Sequence, residues 1–293
     1  MTGKRGLFVG LITLDVVYQT ETFPVSNQKL VASDYTVAAG GPATNAAVAF
    51  SHLGGQATIL GVLGKHPMTH LILADLQETG VTIADLAPNY PQPPSVSSII
   101  VTQTTGERTV VSINAVNYQI KAADIPANCL EEVDIVLIDG HQMEVGRAIA
   151  AQAQTQGIPI VVDGGSWKPG FEAVLSRATY AICSANFYPP GCQETQEVMA
   201  YLSHLGISHI AITQGERPIH YRYSDQTADL EVPSVKAVDT LGAGDIFHGA
   251  FCSAILQQGF VDALGSAAKV AAHSCQFFGP RRWMGSATAQ SKL

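Results

Sequence analysis

Apolar positions along the chain gather into short continuous runs of strand length, separated by stretches in which they recur at helical spacing. Gly6-Leu7-Phe8-Val9-Gly10-Leu11-Ile12 is the first run, ending near Asp15. A strand with no polar face is one covered on both sides. An Ala-rich helix follows, starting at Thr44 or Asn45 and stopping near Leu53-Gly54-Gly55. Residues 56–64 then read as a strand and residues 69–80 as a helix. In the second half the alternation is more regular. Residues 134–140, 158–163, 180–183 and 209–215 have strand character, and residues 145–156 form a helix closed by Gly157. Strand and helix in strict alternation build a mainly parallel sheet sandwiched between helices, an α/β fold.

Two regions depart from that rhythm. Residues 29–37 alternate loosely between polar and apolar, and residues 95–102 and 108–114 alternate around Thr104-Thr105-Gly106-Glu107, a good hairpin turn. They predict a small antiparallel sheet standing off the main domain.

Composition narrows the function classes. Of 293 residues 46% are apolar and 14% charged, which fits a folded globular chain rather than a disordered one. The net charge is −8, and no cluster of Lys and Arg is longer than Arg281-Arg282, so nucleic acid and anionic membrane are poor partners. The five cysteines, odd in number and widely spaced, suit neither a disulfide framework nor a zinc site and point to a reducing cytoplasm. Lys4-Arg5 and the apolar run after them imitate a signal peptide, but Asp15 interrupts it. No run of about eighteen apolar residues is present to span a bilayer.

The chemistry concentrates in Asp239-Thr240-Leu241-Gly242-Ala243-Gly244-Asp245, a loop after a strand-like segment (residues 229–235) that opens a helical run at residues 246–256. Two glycines around Ala243 allow a tight bend whose N–H groups point together. At a helix N-terminus such donors and the macrodipole form an anion site. Asp245 lies in the first turn beside it, where a carboxylate can take a proton from a hydroxyl while the amides stabilise charge on the group under attack.

That stretch closely resembles the C-terminal signature of the ribokinase (PfkB-type) carbohydrate kinases, Asp-Thr-x-Gly-Ala-Gly-Asp, at every defined position. Gly40-Gly41-Pro42-Ala43-Thr44-Asn45, running into the Ala-rich helix, resembles the family's N-terminal signature. The resemblance implies a ribokinase-like three-layer α/β sandwich. Its core would hold residues 1–14, 38–94 and 115–293, and a β lid residues 15–37 and 95–114. It implies that Gly242, Ala243 and Gly244 bind the transferring phosphoryl group and that Asp245 is the general base. Asp15, Gly40, Gly41, Asn45, Arg108 and Asp139 inherit sugar-binding roles. Asn186, Thr213, Gly215, Thr240 and Gly279 inherit nucleotide-side roles, and Asp239 a place beside a monovalent cation, K+.

ATP and Mg2+ are the implied cofactors and a sugar the implied partner, with a lid edge that could pair two subunits into a homodimer. Pro189 stands where the family's Asn-x-x-Glu element has Glu, which leaves Mg2+ binding to another route, such as Glu194 or Asp163 through water. Asp-Ile-Phe-His-Gly-Ala and the segment before Gly40 are most similar to ketohexokinases and sulfofructose kinases, which implies a ketose such as fructose. His141, near the position of a sulfosugar kinase Arg, argues against a sulfonate. Two alternatives stay open beside the ketose kinase: a sugar-sensing protein of the same fold with weak catalysis, and a kinase for ribose or a nucleoside. A dinucleotide-dependent oxidoreductase would need a Gly-x-Gly-x-x-Gly after the first strand, which this chain lacks.

Overall fold

The computed structural model describes residues 3–27, 29–113, 118–224 and 226–286. Among them, nine strands form one sheet. From one edge to the other these are β13 (Gln226–Leu230), β12 (Arg217–Tyr223), β11 (His209–Gln214), β10 (Tyr180–Ser184), β9 (Ile160–Gly164), β8 (Ile135–Ile138), β1 (Arg5–Val9), β4 (Gln56–Gly61) and β5 (Thr82–Asp85). All pairings from β11 to β5 are parallel; β12 runs antiparallel to both its neighbours.

The continuous apolar runs are explained by two cores. Phe8, Ile135, Leu137, Val161, Ile182 and Ala211 face one, while Leu7, Val9, Val136, Ile138, Val162, Cys183 and Ile212 face the other. Helices α1 (Pro42–His52), α2 (Thr69–Glu78), α6 (Ala243–Ile255) and α7 (Phe260–Ser274) cover the first face. Helices α3 (Met143–Gln156), α4 (Glu172–Leu175) and α5 (Thr195–His204) cover the second.

A second sheet of four strands has the order β3 (Asp34–Gly40), β2 (Thr13–Thr20), β6 (Ser95–Thr102), β7 (Arg108–Ser112). It is not purely antiparallel, because β2 and β6 run parallel. The sheet also reaches further than the expected segments, taking in Thr13 and Leu14 at one end of β2 and Ala38 to Gly40 in β3. Asp15 is therefore not the end of the first strand. The apolar run breaks at a bend after Val9, and Asp15 is the third residue of β2, paired with Ala38 and Ser97. The inner face of this sheet packs Val17, Ile99 and Val101 on Phe278, while Tyr18, Tyr35, Val37 and Val111 are exposed.

Other boundaries shift for local reasons. Residues 231–235 carry no strand beyond β13, and the sequence pattern did not bring out β5 and β12. Asn114, expected to end β7, lies outside the described residues, as does the tail beyond Ser286.

Helices α1 and α6 cross at unusually short range. A Cβ on Gly249 would sit 2.1 Å from the carbonyl oxygen of Ala46 and 2.8 Å from the Cβ of Ala49. The Ala-rich composition of α1 and the glycine of α6 are thus two halves of one contact. Gly249→Ala is expected to force the helices apart and cost about 1–3 kcal/mol, measurable as a lower urea midpoint with an unchanged m-value.

Candidate active site

Strand β1 has β4 on one side and β8 on the other, so the chain order reverses here and a crevice opens at the carboxyl ends. Asp139 sits at this crevice, just after β8, and is 1% exposed. One of its oxygens accepts from the amides of Leu11 (2.9 Å) and Ala43 (3.2 Å), the other from the amide of His141 (2.8 Å). Burial alone would raise its pKa. The neighbouring His141 imidazole and the Leu11 and His141 amides outweigh that and hold it at about 2. Three backbone amides thus already bond the carboxylate that the resemblance placed on the sugar, so Asp139 ties together the segments of Leu11, Ala43 and His141. Gly10 makes the arrangement possible, since a Cβ there would meet the Asp139 carboxylate at 2.1 Å.

The paired glycines before α1 have equally concrete reasons. A Cβ on Gly40 would collide with the Asp15 carboxylate at 2.0 Å. Gly41, the N-cap of α1, has φ of 100° and lies against the Leu11 carbonyl, which also accepts the Thr44 hydroxyl at 2.8 Å. The pair thus seats Asp15 and starts the helix that carries Asn45. Asp15 is buried and accepts the Thr13 hydroxyl at 2.7 Å. Burial pushes its pKa up, against the Thr13 and Ser97 hydroxyls and the charge of Arg281.

Across the crevice, Gly242 caps α6 with φ of 71°, a left-handed turn that glycine adopts without strain. The first intrahelical bond runs from the amide of Ile246 to the Gly242 carbonyl, and the Ala243 amide makes a long 3.3 Å bond to Thr240. Among the described residues, the amides of Gly242, Gly244 and Asp245 meet no acceptor. Three donors stand together at the positive end of a 13-residue helix, the kind of terminus at which anions bind.

Asp245 is half-buried beside those amides, and its carboxylate accepts the side-chain amide of Asn45 at 2.9 Å. Desolvation, then the charge of Asp163, raise its pKa to about 6, against the opposing pull of Asn45, His248 and Arg108. A carboxyl group with that pKa is ionised at neutral pH yet basic enough to accept a proton. The two signatures, 200 residues apart in the chain, thus meet at one hydrogen bond.

Further expected residues sit around this centre. Thr240 is fastened to the lid turn: its hydroxyl donates to the Gly106 carbonyl (3.2 Å) and accepts from Arg108 (3.0 Å). Arg108, expected on the sugar, and Thr240, expected on the nucleotide, therefore touch each other and join the small sheet to the anion loop. Asn186 is exposed after β10, the Thr213 hydroxyl donates to the Cys183 carbonyl at 3.4 Å, and Gly215 forms the tight turn between β11 and β12 with φ of 68°. No hydrogen bond joins these three to α6 among the described residues.

Two further expected residues are bonded to each other. The oxygens of Asp239 accept the amides of Leu241 and Gly279, each at 2.8 Å, and the residue is 3% exposed, so its carboxylate braces the loop. Gly279 is buried, and a Cβ there would strike Thr36 of β3 at 2.8 Å. Glu194 is likewise committed, capping α5 in a reciprocal box with Glu197.

His248 and Arg281 were not placed near Asp245 and Asn45 by the sequence, and Asp163 was expected only as a route to Mg2+. His248 lies three positions on, one turn along the same helix face, with ring nitrogens 2.7 Å from the Gly244 carbonyl and 3.1 Å from that of Ile182. That spacing was the available signal. Asp163, at the end of β9, approaches His248 at 3.7 Å. Arg281 bonds the other end of the Asn45 amide at 3.1 Å, and in the sequence it stood out only as half of a dibasic pair.

With this geometry in view, the likenesses to known proteins are consistent. The chain is 26% identical to the ribokinase of Bacillus subtilis over 261 residues, 87% of each chain. A crystal structure of a putative ribokinase from Agrobacterium tumefaciens superimposes with a TM-score of 0.83 at 26% identity, covering 94% of this chain and 92% of that one. Arabidopsis thaliana ribokinase, in a structure complexed with ribose and ATP, shares the fold at a TM-score of 0.74 and 19% identity, over 95% and 94% of the two chains. The nearness expected to ketohexokinases is thinner: the mouse enzyme aligns at 25% identity over 154 residues, 53% of this chain and 50% of the enzyme. The family profile of the pfkB family carbohydrate kinases matches residues 5–284, and the chain belongs to that family of phosphotransferases with an alcohol group as acceptor.

Proposed function

We propose that the chain transfers the γ-phosphate of ATP to the primary hydroxyl of a free furanose sugar, with ribose ahead of fructose. The observation that carries this reading is the adjacency of three unsatisfied amides, at Gly242, Gly244 and Asp245, to a carboxylate whose pKa is about 6. The length over which the ribokinases align, against the partial alignment with ketohexokinase, favours the pentose.

In this reading the sugar lies between the small sheet and the carboxyl ends of the large one. Asp15 and Asn45 grip its hydroxyls. Asp245 takes the proton of the attacking hydroxyl, and the amides of the α6 N-terminus receive charge that builds on the phosphoryl oxygens. Arg108 and the lid turn, latched to Thr240, close the crevice against water that would compete as acceptor. Among the described residues no three His, Cys, Asp or Glu side chains converge as a metal site. A divalent cation fits such a site when carried on the nucleotide's phosphates, where it would neutralise their charge. The exposed apolar face of the small sheet, with Tyr18, Tyr35, Val37 and Val111, supports pairing of two copies through the lid.

The test is ADP release by the purified protein with ATP, Mg2+ and, in turn, ribose, 2-deoxyribose and fructose. Sugar-dependent ADP release with at least one acceptor is expected. Release that never rises above the sugar-free rate, with sugar still bound in calorimetry, would overturn the kinase reading in favour of a sugar-sensing protein.

A further inference from the structure

We infer that Arg281, anchored by Asp75, sets the direction of the Asn45 amide and so secures the hydrogen bond that Asn45 gives to Asp245; Arg281 is a positioning residue acting on the base through Asn45. The inference rests on the reading of Asp245 as the base. Its observations are four segments meeting at one guanidinium. Nη1 of Arg281 donates to Asn45 Oδ1 at 3.1 Å and to the Pro280 carbonyl at 3.3 Å. Nη2 donates to the Ala39 carbonyl at 2.7 Å and to Asp75 Oδ2 at 2.9 Å, and Nε reaches the same Asp75 oxygen at 3.2 Å. Asp75 also accepts the Ala39 amide at 3.0 Å, which ties α2 to the end of β3. The Arg281 and Asp75 side chains are 15% and 17% exposed, so water competes weakly for these bonds.

The chemistry of the donors fixes the rest. A guanidinium only donates, so the carbonyl end of Asn45 must face it and the NH2 end is left for Asp245. Turning the amide over would set NH2 against the guanidinium and a carbonyl oxygen against the carboxylate, two repulsive contacts in a crevice that is 3% exposed at Asn45. A residue with no bond to the reacting groups thereby decides that Asn45 meets both the base and a sugar hydroxyl as a donor. The acceptor hydroxyl can then accept from Asn45 while giving its proton to Asp245. Other charged groups facing the pair are Asp163 from β9, His248 from α6 and Arg108 from β7 at Asp245, and Asp15 from β2 at Arg281; none of them bonds the Asn45 carbonyl.

The test compares Arg281→Met, the charge-neutral double variant Arg281→Met/Asp75→Asn, and Asp245→Asn. Asn45 is free to turn in the first two. We expect kcat to fall by about 10- to 100-fold, the scale of a misplaced reacting group, with KM for ATP unchanged. The acid limb of kcat/KM should move to higher pH, because the carboxylate loses a donor that favours its charged form. Thermal unfolding and circular dichroism give the folded fraction. A loss of activity only in proportion to the unfolded fraction, or a wild-type kcat with the acid limb unmoved, overturns the inference while Asp245→Asn stays inactive. Should Asp245→Asn itself keep its turnover, the base reading fails instead.

Discussion

Asp245→Asn is expected to lower kcat by about 10²–10⁴, the usual contribution of a general base, while nucleotide affinity stays within a few-fold of the parent. The substitution keeps the shape of the side chain and leaves the amides of Gly242 and Gly244 in place, so the anion site survives and only the proton acceptor is lost. The pH dependence gives the same residue a second signature. Its pKa is raised to about 6 by desolvation and by Asp163, so the basic form is lost as pH falls through that value, and kcat/KM should decline on the acid side of 6. That limb should be missing from the residual activity of the variant. A steady-state series with the best sugar acceptor decides it. Turnover of the variant within about twofold of the parent would remove Asp245 from the chemistry.

Asp139→Ala is expected to be the most damaging change to stability and to act without touching the sugar. It strips the acceptor from the amides of Leu11, Ala43 and His141 at once, in a place 1% exposed. Each stranded donor costs roughly 1–3 kcal/mol, and partial relaxation should bring the total to about 3–5 kcal/mol. For a chain of this size that is a fall in Tm of roughly 6–12 °C. The sign with pH follows from linkage. The folded pKa of about 2 lies below the ordinary 3.8, so the stabilisation is complete above that ordinary value and is lost as pH falls through the folded one. The shift corresponds to about 2 kcal/mol. Urea unfolding of parent and variant should therefore show a gap that is constant near neutrality and narrows in strong acid. Equal stabilities at pH 7 would refute the structural role.

Asp139 and Asp245 illustrate how far the sequence could be read. Both follow apolar runs or glycine bends, both are acids at the ligand end of the sheet, and the family resemblance assigned both to function. What separates them is which amides other segments bring. Leu11 and Ala43 arrive from the bend after β1 and from α1 to bond an Asp139 oxygen, whereas Asp245 meets Asn45 and is left half-buried. The bond from the Gly279 amide to Asp239 was equally hidden, because Gly279 lies 40 residues on. The first strand reads as running to Asp15 because an apolar run does not reveal the bend after Val9. The hairpin of the small sheet, by contrast, was legible, since its turn and alternation are local properties.

By itself, then, the amino-acid order determined the parallel sheet, the hairpin of the small sheet and the glycine bend at Gly242. Period-two burial, helical spacing and left-handed glycine turns act between near neighbours and leave a local trace. Only the tertiary structure decided which amides brace Asp139 and Asp239, that Asp245 meets Asn45, that Arg108 grips Thr240, and that Arg281 holds Asn45. Those outcomes depend on donors and acceptors from distant segments arriving within about 3 Å of one another, and no spacing along the chain encodes that.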